Sequence, residues 1–221
     1  MPNATFMNFD QGMDITNTGA ITIASPEVEG SAATNAVGDH LRIRSFGGAS
    51  HYVIDIQGYF SPFEPPTMET ASAAGPARYV PIVPCRIVDT RQAGGPLADR
   101  EIREVTVAGD GPAFAAQGGL AGGCDIPNGT VAIEASITAV DPADSGFFRA
   151  WPYGESLPNA TFMNFDQGMD ITNTGSVTIS TPDFYDDTAT TDHLRIRNYG
   201  GTSHYVVDIQ GYHFAEQLDD K

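Results

Sequence analysis

The sequence predicts an all-β chain built of antiparallel β-sandwich repeats, one complete unit plus a half unit. Three observations carry this. Apolar and polar residues alternate with period two through β-branched runs, as half-buried strands require. Gly and Pro interrupt those runs about every ten residues, a spacing typical of sandwiches and barrels. And the chain repeats itself: "PNATFMNFDQGMDITNTG" stands at residues 2–19 and again, unchanged, at residues 158–175.

The duplication extends further. "AITIASP" (20–26) answers "SVTISTP" (176–182), and "DHLRIRSFGGASHYVIDIQGYF" (39–60) answers "DHLRIRNYGGTSHYVVDIQGYH" (192–213). Only the acidic loop between these blocks changes length, as surface loops tolerate. Residues 61–77, "SPFEPPTMETASAAGPA", are rich in Pro, Ala and Ser without periodicity and read as a linker. Sequence from Arg78 to about Trp151 has no earlier counterpart. With that unmatched part named A and the duplicated part B, the chain reads B (1–60), linker (61–77), A and B (78–213), polar tail (214–221).

In the A half, "TVAIEASITAV" (130–140) sets Val131, Ile133, Ala135, Ile137 and Ala139 on one face and Glu134, Ser136 and Thr138 on the other. "REVTVAG", "GFFRAWPYG", "ATFMNFD" and "SVTIST" behave as further strands, and no segment shows a convincing helical stripe. The end of B reads as a hairpin about Gly47-Gly48, since glycines supply the positive φ of tight turns. Pairing outward predicts Ile43 opposite Tyr52, Leu41 opposite Ile54, Arg44 opposite His51 and His40 opposite Asp55. The second copy then predicts Ile196–Tyr205, Leu194–Val207 and His193–Asp208.

Composition excludes several roles. A net charge of −17 over 221 residues argues against nucleic acid, which needs a basic stripe, and against anionic membranes. No apolar run approaches the roughly 20 residues that span a bilayer, so membrane insertion is not expected. No signal peptide follows Met1, so an exported form would be a mature or trimmed one. Cys85 and Cys124 lie in no CxxC and beside no suitably spaced His, which disfavours zinc. Two readings stand for them at this point: buried thiols, or a disulfide worth about 3–4 kcal/mol.

The chemistry-bearing residues are few. His40–Asp55 and His193–Asp208 are the nearest to a catalytic pair, but no nucleophile accompanies them. Ser50 and Ser203 sit at the turn end of the hairpin and point away from the following histidine. No nucleophile elbow, metalloprotease helix or phosphate loop is present. Neither a catalytic residue nor a cofactor is expected, and cross-strand polar pairing is the better account. Asp10 and Asp14, with Asp166 and Asp170 in the second copy, resemble a calcium loop but lack its spacing; a plain Asx-type turn is preferred. Phe147, Arg149, Trp151 and Tyr153 fall on one face of a strand, where exposed aromatics beside Arg suit sugar rings. Burial of these four is the stronger expectation, because Phe148, Ala150 and Pro152 make a weaker inward face. Asp89 and Arg91 read as a structural clamp.

"YVPIVPCRIVDTRQAGGPL" (79–97), followed by "CDIPNGTVAIEASITAVDP", "GFFRAWPYG", "ATFMNFDQG" and "HYVVDIQGYH", resembles a bacterial extracellular tandem-repeat domain. That family opens with a PCRIVDTR-type motif and closes with a VVDIQGY-type motif. The resemblance covers residues 78–213 as a whole unit and residues 1–60 as the second half of another. It implies a Cys85–Cys124 disulfide, an extracellular or cell-surface location, and no catalytic apparatus. His213, where members carry Phe, departs from the pattern as terminal repeats often do.

These readings lead to a non-catalytic structural repeat of an extracellular fibre, stalk or surface layer. Its N-terminal half lacks an A half, so a neighbouring subunit is expected to complete it by strand exchange, giving a homopolymer. A polysaccharide-binding or adhesion module using Phe147, Arg149, Trp151 and Tyr153, or the hairpin face with Arg42, Arg44 and His51, is the alternative; a hydrolase ranks third. Met1 stands where Leu157 stands in the second copy, which is also what a piece cut from a longer array would show.

Overall fold

Eight strands and one helical turn make up the ordered framework, in a computed structural model that describes residues 7, 11–21, 23, 41–60, 77–181 and 192–215. In chain order they are β1 (Ala77–Asp89), β2 (Ile102–Val105), α1 (Ala113–Ala116), β3 (Thr130–Val140), β4 (Gly146–Pro152), β5 (Met163–Phe165), β6 (Ile171–Thr178), β7 (Leu194–Tyr199) and β8 (His204–Ala215). They form two antiparallel four-stranded sheets, ordered β1-β8-β3-β6 and β2-β7-β4-β5. The protein is therefore an all-β sandwich. Residues 61–76 of the expected linker, the two acidic loops and residues 216–221 of the tail lie outside the described residues.

The order of strands has a plain rule. β1 to β4 come from the A half and β5 to β8 from the B half, and in both sheets A and B strands alternate without exception. Every ladder therefore joins one half to the other. Among the described residues no two B strands pair.

Strand β3 shows why the sequence folds this way. Ile133, Ala135, Ile137 and Ala139 are fully buried, while Ser136 and Thr138 on the outer face bond Thr174 and Thr172 of β6 through their hydroxyls, at 2.6 and 2.8 Å. Val131 departs from the expected inward face. A register shift between Thr130 and Ala132 against β8 breaks the alternation there, as an extra residue in one strand does. Facing β3 across the core are Phe148, Met163, Phe165, Leu194 and Ile196, all essentially inaccessible to water. Helical turn α1, too short to show a 3.6-residue period, places Phe114 in the same core.

The end of B is not a paired hairpin. β7 joins the second sheet between β2 and β4, and β8 joins the first between β1 and β3, so the chain arches from one sheet to the other at Gly200-Gly201. Ile196 lies opposite Arg103 and Ala150; Tyr205 lies opposite Ala139; Val207 lies opposite Val88 and Ile137. The expected pairs Ile196–Tyr205, Leu194–Val207 and His193–Asp208 are thus absent. Strands that face each other across a core need the same alternation as strands that pair, so the pattern did not separate the two. Gly200 adopts φ 112°, a conformation that sharpens the arch and that side-chain-bearing residues rarely take.

Contacts divide the chain into two compact units: Met1–Thr18 with Ile56–Lys221, and Gly19–Asp55. Residues 41–60, nearly identical to β7 and β8 in sequence, carry no strand; Gly47-Gly48 forms a bend, with Gly47 at φ 105°. The expected pairs there are not formed as ladders, and His40 lies outside the described residues.

Candidate functional site

The opening and closing motifs meet on adjacent strands. β1 pairs with β8 so that Arg86 lies opposite Asp208 and Val88 opposite Val207. Arg86 grips Asp208 through both carboxylate oxygens, at 2.8 and 3.0 Å, and reaches Asp89 at 3.2 Å. Arg91 forks onto Asp89 at 2.8 and 2.7 Å, and its own backbone N–H adds a third bond at 3.1 Å. The Asp89–Arg91 clamp is present, completed beyond the end of β1. The Arg91 fork holds the Asp89 carboxyl below its usual range against the opposing effect of burial. Asp208 hydrogen bonds raise Arg86 in turn. Next in sequence, Thr90 is buried: its hydroxyl donates to the Tyr205 carbonyl, accepts the Tyr205 N–H and lies 3.1 Å from His204 Nδ1. Cys85, also on β1, is disulfide-bonded to Cys124. Such a bond is compatible with an oxidising, extracellular setting, and among the described residues no helix is long and apolar enough to cross a membrane.

The outer face of the second sheet carries an arginine–aromatic ladder. Phe147 on β4 stacks on Tyr199 of β7, ring centroids 4.5 Å apart. Arg149 lies over both rings, Arg197 over Tyr199, and Arg195 over Tyr153 at 4.5 Å. Arg149 and Arg197 face each other across the ladder, where like charges repel. Tyr199 sits against both, and each guanidinium also donates to a carbonyl: Arg149 to Pro158, Arg197 to Arg100. Of the four residues expected to be buried on that face, Trp151 is buried and Phe147, Arg149 and Tyr153 are half-buried. Phe148 points into the core, wholly buried, and packs on Phe165, while Phe147 and Arg149 are half-buried on the outer side. Both alternate faces of "GFFRAWPYG" are aromatic, so periodicity had little to choose between. Trp151 is buried and its indole N–H donates to the Glu155 carbonyl; Tyr153 is half-buried.

A third feature is the lateral seam of the sandwich. Both sheets end there in B strands, β5 and β6. Thr16 accepts the backbone N–H of Asn164 on the free edge of β5 at 3.1 Å, and its side-chain amide at 3.0 Å. Thr18 accepts from Asn173 of β6 at 2.7 Å; the same buried amide donates to the Phe162 carbonyl. Gly175 leaves room for this. A Cβ there would meet Thr18 Cγ2 at 2.6 Å and Cβ at 3.2 Å. Residues 16–18 thus cross the seam from one sheet edge to the other.

The remaining candidates have structural roles. His193 is buried and its Nδ1 accepts the Val107 N–H, whereas Asp208 belongs to Arg86. Ser203 is buried and donates to the His204 carbonyl, and Ser50 donates to the His51 carbonyl. Asp166 begins a turn closed by Met169 N–H, and Asp170 accepts the Asp141 N–H. Asp10 lies outside the described residues; among the described ones no cluster of three or more His, Cys, Asp or Glu is gathered as a metal would require. An open depression of about 290 Å³ is lined by Thr90, Arg103, Gln117, Asp192 and Tyr205 among others. Sequence reasoning missed Arg86 with Asp208, Tyr199 with Arg197, and the asparagines of the seam. Only the opposite charges of the two motifs signalled any of these. Comparison with protein-family models, with curated proteins and with solved structures found no match to this chain.

Proposed function

We propose that the chain is a non-catalytic structural repeat of an extracellular bacterial assembly, a fibre, stalk or surface layer, of the tandem-repeat type its motifs resemble. A neighbouring subunit completes its N-terminal half repeat by strand exchange. The observation that supports this is the fate of one sequence in two settings. In the complete repeat Val177, Ile179, Leu194, Ile196, Tyr205 and Val207 are buried in the core of the sandwich. Their counterparts Ile21, Ile23, Leu41, Ile43, Tyr52 and Ile54 are all exposed, Tyr52 at 70% against none for Tyr205. Six such side chains at about 1.5–3 kcal/mol each leave on the order of 10–15 kcal/mol of burial unrealised, an upper estimate. Among the described residues B strands pair with A strands alone, so the half repeat needs A strands from outside itself to gain this.

Light scattering and electron microscopy of the purified chain test the reading. Concentration-dependent oligomers or fibres are expected. A monodisperse monomer whose N-terminal half resists proteolysis sinks it.

The ladder of Phe147, Tyr199, Arg149 and Arg197 favours one other reading, a polysaccharide-binding or adhesion module, because aromatic edges beside forked donors suit sugar hydroxyls and carboxylates. A glycan array on wild type and Arg149→Ala separates the two; binding that vanishes in the variant selects the second.

A further inference from the structure

We infer that the outer face of the second sheet holds a seat for a single carboxylate at Arg149 and Arg197, and that its ligand is a glycan carrying an isolated acidic sugar. This rests on the glycan reading of that face, names the ligand class, and is independent of whether copies assemble. The pattern of charge leads to it. Arg86, Arg91, Arg100, Arg103 and Arg195 each have a carboxylate partner. Arg149 and Arg197 have none among the described residues, in a chain with 28 Asp and Glu against 11 Lys and Arg. They stand opposite each other on paired strands, where like charges cost stability. A carboxylate shared by the two removes that cost.

Both guanidiniums are already held in place. Their carbons lie 5.1 and 4.9 Å from the Tyr199 ring centroid. Arg149 donates to the Pro158 carbonyl and the Asn159 side-chain oxygen, and Arg197 gives its Nε–H to the Arg100 carbonyl. Little side-chain freedom is left to lose on binding. The two terminal amino groups of Arg197 have no protein acceptor among the described residues, and they form a fork of the kind a carboxylate accepts. The surroundings suit a sugar. Ile102, 45% exposed, lies beside Arg197 on β2 and offers an apolar patch to ring C–H groups. The half-buried Tyr199 keeps its hydroxyl free of protein partners among the described residues, ready for a sugar hydroxyl. The seat takes one carboxylate and not a dense polyanion. The next arginine on that face of β7, Arg195, is held by Glu104, and a net charge of −17 repels a run of negative charge.

Calorimetric titration of the wild-type chain tests this, with a glucuronate-terminated oligosaccharide and the same oligosaccharide ending in glucose. The acidic form should bind about 10–100-fold tighter. Arg197→Ala should abolish that preference. Arg197→Lys keeps the charge but loses the fork, so it should lose most of the preference; full retention would overturn the forked contact. Equal binding of the two sugars overturns the seat and leaves the glycan reading standing. If neither binds, both fall. Oligoglutamate binding as tightly as the acidic sugar would overturn the glycan as the ligand.

Discussion

Asp89 offers the sharpest test of what the opening motif does. Its side chain is 4% exposed and accepts four hydrogen bonds, three from Arg91 and one from Arg86. Asp89→Asn keeps the shape and an acceptor for the Arg91 backbone N–H, but presents an NH2 to a guanidinium and removes the charge. Breaking a buried pair costs about 3–5 kcal/mol. Here Arg86 and Arg91 are each 44% exposed and regain water, so about 2–3 kcal/mol is expected. At this size that is roughly 5–10 °C in Tm. Acid adds a second reading. The folded carboxyl lies below its ordinary value of 3.8, so its stabilisation is complete above that value and disappears as pH falls through the folded one. Urea melts of both proteins, with the disulfide intact, should show the full gap at pH 7 and a much smaller one at pH 2. A gap under about 0.5 kcal/mol at pH 7, within ordinary surface substitutions, would refute the structural role. So would a gap that does not change with pH.

Three further outcomes follow from the same geometry. Cys85→Ala with Cys124→Ala should cost about 4 kcal/mol in a denaturant melt, since the bond closes a loop over a separation of 39 residues; equal midpoints would contradict that. A double-mutant cycle of His193→Ala and Asp208→Asn should show coupling below about 0.5 kcal/mol, because His193 pairs with Val107 and Asp208 with Arg86; strong coupling would restore the hairpin. Tyr205→Phe should leave stability unchanged or raised, because the buried hydroxyl has no partner among the described residues. Burial also pushes this phenol far up, so an alkaline ultraviolet titration of the wild type should show one tyrosine ionising well after the rest.

Local pattern revealed the strands, and long-range pairing was where it stopped. β3 was legible because one face meets a core and the other meets threonines. The disulfide came from the resemblance and not from spacing. The arch at Gly200-Gly201 was not legible, because Ile196 and Tyr205 are buried equally whether their strands pair or face each other. Phe147 and Phe148 compete for the same core, and only the packing of Phe148 on Phe165 decides between them. Arg86 and Asp208 lie 122 residues apart, so nothing local announces their bond. The seam was hidden inside the duplication. Asn164, Asn173 and Gly175 recur as Asn8, Asn17 and Gly19, and identity between copies looked like architecture alone.

The alternation of halves explains why that seam differs from an ordinary sheet edge. On one side of the sandwich the outermost strands are β1 and β2, both from A; on the other they are β5 and β6, both from B. Extending either sheet past β5 or β6 by the same rule would call for an A strand. The segment found there belongs to the first B copy, the sequence counterpart of part of β6, and it carries no ladder: Thr16 and Thr18 accept through side-chain hydroxyls. A few hydroxyl bonds of about 0.5–1.5 kcal/mol each are weak beside a ladder. Contacts of this kind close the seam and leave the ladders of both sheets undisturbed. Asn173→Ala removes the bonds to Thr18 and to Phe162 together and should lower stability by about 1–3 kcal/mol. Thr18→Ala removes only the first of them, so calorimetry on the two variants apportions the loss. If Thr18→Ala left the Tm unchanged, Asn173 would act through the Phe162 carbonyl alone and residues 16–18 would add nothing to the seam.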